Sequence, residues 1–139
     1  MSGPRNPAYR RYVRRMAISS TLYVAAIVAA STLLHGPVPV SALAVAIAVL
    51  PGLAVLLMLY AIARLLIELD DEYLKMLEVR KALVATGFVL AIASVWGLLE
   101  LYTEVPRLQV FWVFPIWCIG LMVGQVVNRL TIGDGGECP

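Results

Sequence analysis

The sequence predicts an all-α integral membrane protein: a four-helix bundle with both termini in the cytoplasm and a third helix that extends into the cytoplasm. Of its 139 residues, 61% are hydrophobic and 14% are charged, whereas soluble domains carry about 25% charged residues. A soluble fold of this size could not bury so much apolar surface. The apolar residues also fall into four long runs, each close to the length that crosses the hydrocarbon core of a bilayer.

The N-terminal segment is strongly basic. Residues 1–15 contain five arginines: Arg5, Arg10, Arg11, Arg14 and Arg15. We interpret this segment as an exposed cytoplasmic arm, and we expect four of the arginines to contact anionic lipid headgroups, namely Arg10, Arg11, Arg14 and Arg15. Nucleic-acid binding is the alternative for a basic arm, but this one directly precedes an apolar run.

The four predicted spans follow in order. The first, 16–34, has no charged residue, and at about 1.5 Å per residue it covers roughly 28 Å, close to the hydrocarbon thickness. The second, 40–67, is longer than a bilayer needs, so we expect it to tilt or to project into the cytosol. The remaining spans cover about 82–101 and 110–128. Together residues 16–129 form one membrane domain, and 130–139 form a flexible cytoplasmic tail.

Small residues form faces suited to close helix packing on three of these spans. They are Ala25-Ala26 with Ala29-Ala30, then Ala44, Ala48 and Gly52, then Gly120 and Gly124. The last pair is a G-x-x-x-G motif, which brings helix backbones together either inside the bundle or across a dimer. Both arrangements are compatible with the sequence.

Polar residues are concentrated between the second and third spans. Residues 64–81 hold nine of the chain's twenty Lys, Arg, Asp and Glu residues. Arg64 and Glu68 form an i,i+4 pair, which we expect to stabilise the hairpin of the second and third helices. Either Asp70 or Asp71 can serve as the N-cap of the third helix.

The third helix is predicted to begin near Asp71 and to run two to three amphipathic turns before it enters the membrane at Ala82. Charged pairs at helical spacing support this helix, namely Asp71–Lys75, Lys75–Glu78 and Glu78–Lys81. The opposite face carries Tyr73, Met76 and Leu77. This face either packs on the bundle or binds a partner.

The basic residues predict the orientation. If there are four spans, ten of the eleven Lys and Arg residues lie on one side, and Arg107 is the only one on the other. Basic residues accumulate on the cytoplasmic side of membrane proteins. Both termini and the polar connection are therefore predicted to be cytoplasmic.

The sequence predicts no catalytic, cofactor-binding or metal-binding residues. The two cysteines do not form a C-x-x-C pair and there is one histidine, so no zinc or haem ligand set is indicated. The spans have no ionisable group near the bilayer centre, where transporters and proton relays usually carry one. Glu100, at the outer end of the third span, could pair with Arg107 or receive a cation.

Eight residues are candidates for interaction or structural roles. They are Arg64, Glu68, Asp71, Tyr73, Arg80, Glu100, Gly120 and Gly124.

Two motifs resemble an uncharacterised family of small four-helix bacterial inner-membrane proteins. They are Arg64-Leu-Leu-Ile-Glu68-Leu-Asp70-Asp71, which matches an R-x-x-x-E-L-D-[DE] junction, and Trp96-Gly97-Leu98-Leu99-Glu100 at the end of the third helix. The resemblance covers roughly residues 9–129. It implies four spans and a location in the inner membrane, and it implies no activity.

The expected function is that of a non-catalytic scaffold or accessory subunit that acts through helix–helix packing, as a homo-oligomer or in a larger membrane complex. No nucleic acid is expected as a partner. The alternative is a small transporter or channel with Pro51, Pro115 and Glu100 along its path. A membrane enzyme of unspecified type comes third.

Overall fold

The structure is a computed structural model, and it describes residues 6–37 and 39–133. This part of the chain is helical and contains no strand. Its elements are α1 (Pro7–Leu33), α2 (Ala42–Glu68), α3 (Glu72–Tyr102), a short 3-10 turn (Val110–Trp112) and α4 (Val113–Ile132).

Within the described ranges, four helical segments are long and apolar enough to cross a membrane. Three of them have 27, 27 and 31 residues, and the fourth, counted with its 3-10 turn, has 23. At a rise of about 1.5 Å per residue, even the shortest exceeds the roughly 30 Å of a hydrocarbon core. The prediction of an all-α fold with four long helices is therefore confirmed, and the four helices are candidate membrane spans.

The helices pair as two antiparallel hairpins in the described chain. α1 packs against α2, and α3 packs against α4. The first hairpin belongs to a compact unit that ends at Leu69, and the second belongs to a unit that begins at Asp70. Each hairpin is described by itself below.

Polar side chains fix where the helices begin. Asn6 Oδ1 accepts the N–H of Ala8 over 3.0 Å, ahead of a proline in the first turn. Ser41 Oγ accepts the N–H of Ala44 over 3.2 Å. Such caps satisfy backbone donors that have no partner inside the helix.

The start of α3 agrees with the sequence prediction. Asp71 Oδ1 accepts the N–H of Tyr73 over 2.8 Å and that of Leu74 over 3.4 Å. Asp71 is therefore the N-cap, one of the two aspartates predicted for that position. From there α3 continues as a single helix to Tyr102.

The start of α1 differs from the prediction of an exposed arm over 1–15. α1 begins at Pro7, well inside that segment, and Ala8 and Tyr9 are buried. The reason is local, because Asn6-Pro7 combines an N-cap side chain with a proline whose fixed φ suits the first helical position. The helix is therefore continuous across residue 16, where the predicted span begins.

The end of α4 also extends beyond the predicted boundary. The helix reaches Ile132, and Gly133, with φ of 80°, terminates it by donating its N–H to the carbonyl oxygen of Arg129 over 3.0 Å. A left-handed glycine is the usual way to end a helix, because it has no Cβ to clash. The rest of the predicted flexible tail, 134–139, lies outside the described residues.

The buried side of α2 is not the small-residue face predicted for it. Its buried residues are Ala54, Met58, Ala61 and Leu65. By contrast, Ala48 and Gly52 are exposed, and a Cβ added to Gly52 would meet no described atom within 4 Å. The helix also continues through Pro51 without interruption.

The second hairpin is built on the predicted G-x-x-x-G motif. Gly120 lies against Ala85, and Gly124 lies against Lys81. Both glycines are buried. In this structure the motif therefore packs within one chain, which was one of the two arrangements compatible with the sequence.

Side-chain hydrogen bonds join α3 and α4 on both sides of the glycines. Trp117 Nε1 donates to Thr86 Oγ1 over 3.2 Å. One turn beyond Gly124, Asn128 Nδ2 donates to the carbonyl oxygen of Leu77 over 3.0 Å. Because partners shift by about four residues together on both helices, the contacts form one continuous seam.

Candidate functional site

The most distinctive polar site of the first hairpin is centred on Glu68, at the end of α2. Its carboxylate contacts three arginines of the described chain. Arg11 Nε lies 2.8 Å from Oε2, Arg15 Nη1 lies 2.8 Å from Oε1, and Arg64 Nη2 lies 3.1 Å from Oε1. The Glu68 side chain is only 11% exposed. We call these four residues the Glu68 cluster.

The Glu68 cluster includes a contact that the sequence predicted and two that it did not. The pair Arg64–Glu68 is present, with a second approach of Arg64 Nε to Oε1 at 3.2 Å. Arg11 and Arg15, which were expected to contact lipid headgroups, also bind Glu68 across the hairpin. They lie one turn apart on α1, so both reach the same carboxylate.

The cluster fastens the first turns of α1 to the last turn of α2. A carboxylate accepts hydrogen bonds from several arginines well, because its two oxygens offer about four lone pairs. The arginines are partly exposed, with 49%, 28% and 40% of the Arg11, Arg15 and Arg64 side chains accessible. The arrangement is therefore a partly solvated structural junction that carries excess positive charge.

Arg10 and Arg14 lie beside this junction and are exposed. Neither forms a salt bridge within the described ranges. Together with Arg11 and Pro7, they line a cleft of about 230 Å³. The cleft is therefore a strongly basic concave surface of the first hairpin.

The polar end of the second hairpin is organised by shorter-range pairs. Lys75 Nζ lies 2.8 Å from Glu72 Oε1, and Lys81 Nζ lies 2.5 Å from Glu78 Oε2. The predicted pair Asp71–Lys75 is not formed, because the Asp71 carboxylate caps the helix and Lys75 turns to Glu72.

Two residues of the predicted apolar face of α3 remain accessible. Tyr73 is 43% exposed and Met76 is 46% exposed, whereas Leu77, predicted on the same face, is buried at 1%. The predicted face therefore splits, and Leu77 lies in the seam with α4. Arg80 is half-buried and makes no salt bridge with any described residue.

Asn128 was missed by the sequence reasoning. It is fully buried, and its Oδ1 has no hydrogen-bond partner in the described chain. Its position four residues after Gly124 continues the spacing of the glycine motif, and this was the signal that could have identified it. For Arg11 and Arg15 no such signal exists, because their partner lies in a different helix.

At the other end of the second hairpin, Glu100 organises the loop after α3. Its Oε1 accepts the N–H of Leu108 over 2.5 Å, and Trp96 Nε1 donates to the carbonyl oxygen of Pro106 over 3.1 Å. The expected pair with Arg107 is not formed in the described structure. The carboxylate satisfies a backbone donor that the loop would otherwise leave unpaired.

The chemistry of these groups is that of helix anchoring. In the described part of the chain, no three His, Cys, Asp or Glu side chains come together as a metal site would need. Among the acidic residues, Asp71 caps a helix, Glu68 pairs across a hairpin, and Glu100 accepts a hydrogen bond from a loop N–H. No protein-family model, curated protein or solved structure matches the chain.

Proposed function

We propose that this protein is a non-catalytic scaffold or accessory subunit of a membrane complex, and that it acts through the outer faces of its helices. The observation that carries the proposal is that the buried polar and small residues make contacts between neighbouring helices. Glu68, Asn128 and the glycines Gly120 and Gly124 all hold one helix to its neighbour. None of them is left for a substrate.

The outward surfaces of the helices support the same proposal. Many large apolar side chains are exposed on each hairpin, as suits contact with lipid or with other helices. On α1, small residues leave a shallow apolar groove along the helix. It is lined by Ser20, Thr21, Val24, Ala25, Val28 and Ala29. Such a surface lets a second helix approach closely.

The proposed arrangement in the membrane is a four-helix bundle with both termini in the cytoplasm of a bacterium. The charge distribution supports it. In the first hairpin the arginines lie at the end opposite the 34–41 connection, which has no Lys or Arg. In the second hairpin Lys75, Arg80, Lys81 and Arg129 lie at the end opposite Arg107. Each hairpin thus has one basic end, which we assign to the cytoplasm.

The scaffold role is tested by affinity purification of the tagged chain in a mild detergent, followed by identification of the co-purifying membrane proteins. Ala25→Trp fills the α1 groove and is expected to release the partner. Leu22→Trp is the matched control, because Leu22 is exposed on the same helix but does not line the groove. Recovery of a monomer alone from the wild-type chain would contradict the proposal.

The orientation is tested separately with reporter fusions. A C-terminal green fluorescent protein, which fluoresces only in the cytoplasm, is expected to be bright, and a C-terminal alkaline phosphatase is expected to be inactive. The opposite pair of results would overturn the assignment of the basic ends.

A further inference from the structure

We propose that the cleft lined by Arg10, Arg11 and Arg14 at the start of α1 binds the phosphate group of an anionic membrane lipid. This inference depends on the chain spanning a membrane and does not depend on the scaffold role. It narrows the general expectation of headgroup contacts to one site. Arg10, Arg11 and Arg14 line this site, whereas Arg15 binds Glu68.

The first argument is charge. Residues 6–69 carry five arginines, namely Arg10, Arg11, Arg14, Arg15 and Arg64, and one carboxylate, that of Glu68. Only Arg11, Arg15 and Arg64 contact this carboxylate. Arg10 and Arg14 have no salt bridge within the part of the chain described. The uncompensated positive charge is therefore greatest on the side where these two arginines lie, and an anion would be attracted there.

The second argument is geometry. Arg10 and Arg14 lie four residues apart, so their side chains neighbour each other on one face of α1. Arg11 is held in place because its Nε donates to Glu68 Oε2 over 2.8 Å, while about half of its side chain remains exposed. The cleft of about 230 Å³ between these residues has room for a phosphate group. Guanidinium groups bind phosphate oxygens in pairs of hydrogen bonds.

The third argument is depth, and it selects a lipid over a soluble anion. From Arg15 to Leu33 the helix carries no other charged residue and covers roughly 27 Å, close to the hydrocarbon thickness. With Arg15 at that boundary, Arg10 lies about 7.5 Å beyond it. This is the depth of lipid phosphates, and arginines there attract anionic lipids.

The site should distinguish lipids by net charge. The phosphate of phosphatidylcholine is neutralised by its own choline group, whereas that of phosphatidylglycerol is not. Glu68 adds to this preference indirectly, because it positions Arg11. Among the described residues, no carboxylate lines the cleft.

The test compares lipids bound to the full chain in detergent by native mass spectrometry, with equal amounts of phosphatidylglycerol and phosphatidylcholine added. The wild-type chain is expected to retain phosphatidylglycerol in preference. The double variant Arg10→Gln/Arg14→Gln should lower that preference several-fold. It should remain folded, because neither arginine contacts a described carboxylate.

The matched control is Arg80→Gln/Arg107→Gln, which removes the same charge from residues that do not line the cleft, and it should keep the wild-type preference. An unchanged preference in Arg10→Gln/Arg14→Gln would overturn the site. Equal loss in both double variants would also overturn it, because net charge alone would then explain binding. If inorganic phosphate displaced the lipid completely, the cleft would be a site for free phosphate, and the assignment to lipid would be wrong.

Discussion

Gly124 of α4 lies so close to α3 that a Cβ atom added to it would stand 2.6 Å from the carbonyl oxygen of Lys81. One turn earlier, a Cβ on Gly120 would stand 2.8 Å from the Cα of Ala85. Both obstacles are backbone atoms, which cannot move aside as a flexible side chain can. The closeness of the second hairpin therefore depends on these two residues.

Replacing either glycine with alanine should force α3 and α4 apart. We expect Gly124→Ala and Gly120→Ala to destabilise the protein by about 1–3 kcal/mol each, the usual cost of overpacking. Thermal unfolding in detergent measures the effect. Gly87→Ala is the control, because a Cβ there meets no described atom within 4 Å and alanine favours a helix by up to about 1 kcal/mol. Equal melting temperatures for Gly124→Ala and Gly87→Ala would show that the contact does not hold the hairpin.

Glu68→Gln should weaken the first hairpin, because it leaves the Arg11, Arg15 and Arg64 guanidinium groups close together without their shared carboxylate. The melting temperature is expected to fall further than in Glu72→Gln, which removes an exposed pair on one helix. Adding Arg15→Gln to Glu68→Gln should restore part of the lost stability, because it removes one of the guanidinium charges that no longer have a carboxylate partner. The double-mutant cycle then gives the coupling energy between Arg15 and Glu68. Additive effects would mean that the pair contributes nothing.

Asn128→Ala should destabilise the second hairpin by about 1–2 kcal/mol, because it removes a buried hydrogen bond to the Leu77 carbonyl. Thr131→Ala is the control on the same helix, since that hydroxyl is exposed and bonds only within the helix, to the carbonyl of Val127. Equilibrium unfolding in detergent compares them. If both substitutions are neutral, the buried amide is not part of what joins α3 to α4.

Glu100→Ala should loosen the loop after α3, because the Leu108 N–H loses its acceptor. Hydrogen exchange followed by mass spectrometry should show faster exchange of peptides that contain Leu108. Glu104→Ala removes the same charge from the same loop but leaves the Glu100 acceptor of the Leu108 N–H in place, so exchange should not change. Faster exchange in both variants would point to loop charge rather than to the hydrogen bond.

Local signals in the sequence predicted a large part of this fold. Runs of apolar residues indicated four membrane-spanning helices, and Asp71 was recognised as one of two N-cap candidates. The Gly120-x-x-x-Gly124 spacing indicated a close helix contact. These features depend on residues within a few helical turns of each other, so the sequence alone is enough to recognise them.

Prediction and structure differ where local signals were weak, or where the packing of two helices decided which side of a helix is buried. The predicted first span began at residue 16 because the arginines suggested an exposed arm, whereas the helix itself begins at Pro7 behind the N-cap Asn6. The small face at Ala44, Ala48 and Gly52 was expected to pack, yet α2 buries Ala54 and Ala61 instead. Small residues show where helices are able to approach, and they do not show which side faces the neighbour.

The sequence by itself determined the all-α class of the protein, the number of its long apolar helices and the pair Arg64–Glu68, because composition and helical spacing are enough for these. Only the tertiary structure decided that Arg11 and Arg15 bind Glu68, 57 residues from Arg11, and that Asn128 binds the carbonyl of Leu77. The physical reason is that such contacts depend on the register of two antiparallel helices. A shift of one residue rotates a side chain by about 100° and would send these groups to lipid or water.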